Sequence, residues 1–149
     1  MTGNEEIEQF LQTHLETIRQ NDIEGYHRTT DEGLTLFEWW VTPHRIDGLG
    51  FHDFLIAENA RKGTVFGSEA DPGEEEAHSR FDLSNLKIQR YGDTAIASYT
   101  LLTTTASPQG IKVVSHNESR VMVRLEGGWK VVHVHKSPSY LAPHMPASE

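Results

Sequence analysis

The chain has 149 residues, a length that predicts one domain, and 36% of them are apolar, enough to bury a core. Acids outnumber bases 22 to 13, a net charge of −9, which excludes the dense basic face of a nucleic-acid binder. The absence of cysteine excludes disulfides, thiolate chemistry and Cys-based zinc sites, and with no apolar run of membrane-spanning length and a polar, acidic start the expectation is a cytoplasmic protein without signal peptide or membrane contact.

In Glu5–Asn21 the apolar residues Ile7, Phe10, Leu11, Leu15 and Ile18 recur at spacings of three and four, which predicts an amphipathic helix with Asn4 as its N-cap. A second short helix is expected over Ile23–Thr30. Gly33–Val41 is rich in aromatic residues and predicts a strand. Its alternation puts Leu34, Leu36, Glu38 and Trp40 on one face and Thr35, Phe37, Trp39 and Val41 on the other. Both faces are greasy, so both should be covered, and the two tryptophans either fill a core or line a pocket. Pro43–Gly50 reads as a turn. Gly50–Arg61 returns to helical spacing through Phe51, Phe54, Leu55, Ala57 and Ala60, with His52 in the first turn. Residues 63–79 carry Pro72, three glycines and five acids and read as a long solvated loop without the spacing of a calcium site.

From Arg80 onward every segment is strand-like: Phe81–Arg90, Thr94–Thr105, Lys112–Leu125 and Trp129–Ser137, joined by short turns, with residues 138–149 as an extended terminal arm. Consecutive strands with short connections make an antiparallel meander. The whole predicts a single α+β domain with its core in about residues 5–138. Its helices gather on one face of a strongly curved antiparallel sheet, and such a sheet forms a cone with a pocket at its mouth.

The hairpin at Glu126-Gly127-Gly128 fixes which side chains share a face. A two-residue Gly127-Gly128 turn pairs 126 with 129 and sets His135 opposite Arg120. A three-residue loop shifts the pairing by one, so that Glu118, Arg120, Val132, Val134 and Lys136 share a face and His133 and His135 take the other. The glycines allow both. In either case Arg120 brings a guanidinium into a central strand, where it needs an anion or several acceptors. Glu118 can neutralise it internally, or it stays available to an anionic ligand. His133 and His135, about 7 Å apart at strand spacing, could join a metal site only with a third ligand, which no spacing supplies. Neither a nucleophile elbow nor a phosphate loop occurs, so triad hydrolysis and nucleotide binding lose support.

Four stretches then resemble one family. Gly-Leu-Thr-Leu-Phe-Glu (33–38), Phe-His-Asp-Phe (51–54) with Glu-Asn-Ala (58–60), Asn-Glu-Ser-Arg-Val (117–121) and Gly-Trp-Lys-Val-Val-His-Val-His-Lys-Ser (128–137) resemble the association, or hub, domain of calcium/calmodulin-dependent protein kinase type II. That domain belongs to the nuclear transport factor 2-like superfamily with SnoaL-like cyclases and ketosteroid isomerase, and the likeness runs from about Ile7 to Pro138. It implies the cone-shaped, cystatin-like α+β fold and self-association into dimers or rings of dimers. No basic amphipathic segment for calmodulin is present, so the resemblance implies a stand-alone, bacterial homologue without kinase activity of its own. It also implies a basic-lined pocket with His52, Arg120 and Lys136 at matching positions. An arginine of the family falls at Thr100 here, and Lys136 replaces another, so positive charge is reduced. The resemblance favours the three-residue hairpin loop, because only that loop brings Arg120 and Lys136 to one face.

Two functions follow as expectations. One is a self-assembling domain that binds a small carboxylate, with His52, Arg120, Lys136, Glu118, Trp39, Phe54 and Tyr99 as ligand-binding candidates and no cofactor or metal. The other is a SnoaL- or isomerase-like enzyme. It needs a general base, for which His52 and Glu118 are candidates, and a donor to an enolate oxygen, for which Tyr99 or Trp39 would serve.

Overall fold

The structure is a computed structural model that describes residues 4–62 and 78–139. The acidic stretch expected as a loop and the terminal arm lie outside the described residues, except that residues 78 and 79 already belong to a strand, 138 ends the last strand and 139 follows it. Helix α1 (Asn4–Arg19) buries Ile7, Leu11 and Leu15, as their spacing requires, and places His14 on the same buried stripe. Asn4 is already helical, so it is not the N-cap. Helix α2 (Ile23–Thr29) is capped by Asp22, whose carboxylate accepts from the Gly25 amide at 3.0 Å. Gly25 is packed so tightly that a β-carbon there would meet Thr17 Cγ2 at 2.7 Å.

Strand β1 (Thr30–Glu38) follows directly, then β2 (Ile46–Asp47), α3 (Gly50–Lys62), β3 (His78–Tyr91), β4 (Thr94–Ser107), β5 (Gly110–Leu125) and β6 (Gly128–Pro138). They form one six-stranded sheet in the order β2-β1-β6-β5-β4-β3. The expected meander is β3 to β6. Two features depart from the expected antiparallel sheet and turn: β1 runs parallel to β6, and the 43–50 segment contributes the short antiparallel β2. Along β1, Leu34, Leu36 and Glu38 are buried as the alternation requires. The strand ends at Glu38, however, so Trp39, Trp40 and Val41 lie in the following turn and are 36–40% exposed rather than core.

The core joins Ile7, Leu11 and Leu15 of α1 to Leu34, Leu36, Ala97, Met122, Val131 and Val134 of the sheet. Each fully buried Leu or Ile there contributes about 2 kcal/mol. On α3 the expected buried face is inverted: His52 and Ile56 are buried, and Phe51, Phe54, Ala57 and Ala60 are exposed. The inward stripe holds a polar histidine because its hydrogen-bond partners lie inside.

The last hairpin takes neither expected register. Leu125 pairs with Gly128 around a two-residue Glu126-Gly127 turn, with Gly128 at φ +112°, and Met122 pairs with Val131. A bulge then intervenes: Val121 pairs with His133, which leaves Val132 as the extra residue. Beyond it Arg120 faces Val134 and Glu118 faces Lys136, the pairing that the resemblance favours. The buried residue of this stretch is Val131, not Val132, because the bulge falls between the core half of β6 and its charged half.

Candidate functional site

The register sets a transverse row of side chains on the buried face of the sheet. Glu38 of β1 pairs with Lys136 of β6, Lys136 with Glu118 of β5, and Glu118 with Tyr99 of β4. Cross-strand neighbours lie about 5 Å apart, so negative, positive, negative and phenolic groups fall within reach of one another. Lys136 Nζ stands 3.5 Å from Glu38 Oε2 and 3.8 Å from Glu118 Oε2. Arg120, one step up β5, donates through Nη1 to Glu118 Oε1, and at 2.6 Å to the Tyr99 hydroxyl. Tyr99 donates to Glu118 Oε1 at 2.7 Å, and His116 Nε2 lies 2.6 Å from Glu118 Oε2.

The other end of the row is closed by α3 and α2. His52 Nε2 bonds Glu38 Oε1, and His52 Nδ1 is 2.7 Å from the Tyr26 hydroxyl. Burial pushes the Tyr26 pKa above its ordinary value, so the phenol keeps its proton. The ionised Glu38 carboxylate accepts from Nε2–H, and Nδ1 is hydrogen-bonded to the Tyr26 hydroxyl. Burial alone would raise the pKa of both glutamates. At Glu38 the charge of Lys136 and the His52 hydrogen bond outweigh it and hold the carboxyl at about 2. At Glu118, Arg120, Lys136 and His116 likewise outweigh burial, and its pKa lies well below the usual carboxylate range. Burial raises the Tyr99 pKa well above that of a free phenol. The four formal charges cancel, two carboxylates against one guanidinium and one ammonium. Cancellation is the condition under which such a group tolerates burial.

A cavity of about 40 Å³ opens onto this row. Leu15, Ile18, Phe81 and Leu101 form its apolar wall, and His116, Glu118, Arg120 and Lys136 form its polar floor. Trp40 stands at the rim, its ring 5.2 Å from Lys136 Nζ, a cation–π distance. The space suits a few waters or a small ligand. Arg120 Nε is buried and has no hydrogen-bond partner. The guanidinium is thus paired on one edge by its own chain and retains donor capacity on another.

Of the expected ligand-binding residues, Arg120, Lys136 and Glu118 line the cavity. His52 and Tyr99 do not; they stand behind it and hold Glu38 and Glu118. Trp39 packs edge-on against Trp40 at 4.4 Å and touches His116 at 5.5 Å without lining the cavity. Phe54 is 62% exposed on the outward side of α3 and has no place in the site. Thr100 points to the outer face, where it donates to Asn117 Oδ1 at 2.7 Å, and the β4 positions that line the cavity are Leu101 and Thr103. As catalytic candidates the residues fare poorly. Every oxygen of Glu118 is already engaged by a cation or a donor, and its low pKa makes it a weak base. Both nitrogens of His52 are also engaged. His133 Nδ1 bonds Thr35 Oγ1 at 2.8 Å on the outer face and His135 is exposed beside it; among the described residues no group of three metal-ligating side chains forms.

Sequence reasoning passed over Glu38, Tyr26, His116 and His14. Glu38 carried a readable signal, an acid at the alternate position after Leu34 and Leu36. His14 sat one position before Leu15 on an apolar helix stripe. Tyr26 and His116 had no pattern that separates them from surface residues.

Helices packed on one curved sheet in this order give the chain a nuclear transport factor 2-like fold. The structure matches such a superfamily protein from Salmonella enterica with a TM-score of 0.64 at 18% identity, covering 98% of each chain. Within that class, the chain belongs to the calcium/calmodulin dependent protein kinase II association domain family, which it matches over residues 3–140. It is similar to the association domain of the Caenorhabditis elegans enzyme, with a TM-score of 0.72 and 27% identity over 90% of this chain and 94% of that one. It is 30% identical over 144 residues to the type II kinase delta subunit of rabbit (Oryctolagus cuniculus), covering 95% of this chain and 25% of the relative. The chain therefore spans about a quarter of the length of that kinase. No described helix is long and apolar enough to cross a membrane.

Proposed function

We propose that this chain is a self-assembling association domain, a homodimer at least, whose cavity takes a small carboxylate. Family membership supports the first half. The second half rests on one observation: a buried guanidinium with an unpartnered Nε stands beside an ammonium at the floor of an open cavity. A carboxylate entering there would meet Arg120 and Lys136 while its tail lies on Leu15, Ile18 and Phe81. Because Glu118 already shares both cations, the guest competes with an internal anion, and binding is expected to be weak.

The assembly is tested by light scattering coupled to gel filtration; a monomer at all concentrations would sink it. The ligand is tested by thermal melts with acetate, butyrate and benzoate. The wild type should gain stability in a saturable way, by the binding linkage, and Arg120→Ala should not. A panel without any shift would leave assembly as the sole function.

A further inference from the structure

Among the described residues a third cation lines the cavity, and it stands apart from the two at the floor. Arg19 is the last residue of α1, and its side chain keeps 29% of its surface exposed, against 3% for Arg120 and 7% for Lys136. Its Nη1 donates to the Ser79 carbonyl of β3 at 3.2 Å, and its Nε donates to Glu16 at 2.9 Å, with Nη2 on the same carboxylate. The order of the sheet separates the two ends of the cavity. Lys136 rises from β6, Arg120 from β5, Leu101 from β4 and Phe81 from β3, while Arg19 is tied to β3. Strands β5 and β3 are two spacings apart, about 10 Å. The cavity therefore runs from a buried cationic floor, along an apolar middle, to a part-exposed guanidinium at its mouth.

We propose that the cavity prefers a short aliphatic dicarboxylate, of the length of succinate or glutarate, with one carboxylate on Arg120 and Lys136 and the other on Arg19. This rests on the carboxylate reading of the same cavity and narrows it. Donor capacity is the first argument. A guanidinium has five N–H groups, and among the described residues Arg19 uses three of them on Glu16 and Ser79, which leaves one on each terminal nitrogen. The weakness of the competing ion pair is the second. Glu16 is 39% exposed and stands three residues back on the same helix, and such a pair is screened by water, so a guest carboxylate can share the guanidinium. The apolar middle is the third. Methylenes lying on Leu15, Ile18 and Phe81 carry a second carboxylate to Arg19, where a monocarboxylate brings only a methyl end.

The affinities of glutarate and butyrate, read from saturable thermal shifts of the full chain at one pH and one ionic strength, test this. The wild type should bind glutarate about five-fold more tightly than butyrate, the scale of one part-exposed ion pair. In Arg19→Gln that ratio should fall to about one. In Glu16→Gln, which removes the competing carboxylate, it should rise above that of the wild type. Equal affinities in the wild type, a preference that survives Arg19→Gln, or a ratio no higher in Glu16→Gln would overturn the dicarboxylate; butyrate binding would then leave the carboxylate reading standing. No shift with either acid would sink both.

Discussion

The two halves of β5 obey the same alternation and meet opposite fates. From His116 to Met122 every second side chain is buried, and three of the four are polar or charged: His116, Glu118 and Arg120. From Gly110 to Val113 the strand is exposed although Ile111 and Val113 are apolar. Burial here is decided by what lies on either side of a strand, and hydropathy comes second. Charges are buried where β4 and β6 both bring complementary partners, and hydrophobes stay outside where β6 has ended.

The widest separation between the halves should come from Glu118→Ala. It leaves Arg120 and Lys136 without their shared carboxylate in a site where both are nearly fully buried. Breaking such a network costs about 3–5 kcal/mol, to be read as a lowered denaturant midpoint. If stability changed by less than about 1 kcal/mol, the row would be a solvated one and the contrast with the outer half would fail.

A somewhat smaller effect is expected from acid. The unfolded Glu38 carboxyl takes up its proton near its ordinary value of 4.5, the folded one only near about 2. In that window the unfolded state binds more protons, so stability is complete above it and lost as pH falls through it. The loss attached to Glu38 is on the order of 3 kcal/mol. Unfolding measured between pH 6 and pH 2.5 should therefore show a shallower acid decline in Glu38→Gln than in the wild type. Parallel declines would remove Glu38 from the account.

At the other extreme, Ile111→Thr on the exposed half of β5 should shift the denaturant midpoint by no more than about 0.5 kcal/mol. A loss of several kcal/mol there would mean that the outer half is as well packed as the inner one.

The difference between these regions also marks how far the sequence could be read. Alternation over β3 to β6 and the three-and-four spacing of α1 are local properties, and they located those elements within a few residues. The hairpin register was not local: the glycines permit several turns, and the extra residue at Val132 is fixed by packing on both sides of it. The buried face of α3 was misread because Phe51 and Phe54 outweigh His52 on any hydropathy count, whereas Glu38 and Tyr26 draw the imidazole inward. Arg120 could be found in advance, since a guanidinium in a central strand is conspicuous, whereas Lys136 was reached only through the family resemblance. The inward place of Glu38 was readable from the alternation of β1, but its pairing with Lys136 was not, because nothing in the chain itself announces that β1 lies parallel to β6.

The irregularity at Val132 gives β6 a change of phase. Trp129 and Val131 point inward before it, and Val134 and Lys136 point inward after it, an odd-to-even switch that a regular ribbon cannot make. Drawing Val132 into the regular ladder in place of the bulge would turn the distal segment over. Two imidazoles would then enter the chamber, and the ammonium that bridges its two carboxylates would swing out into water.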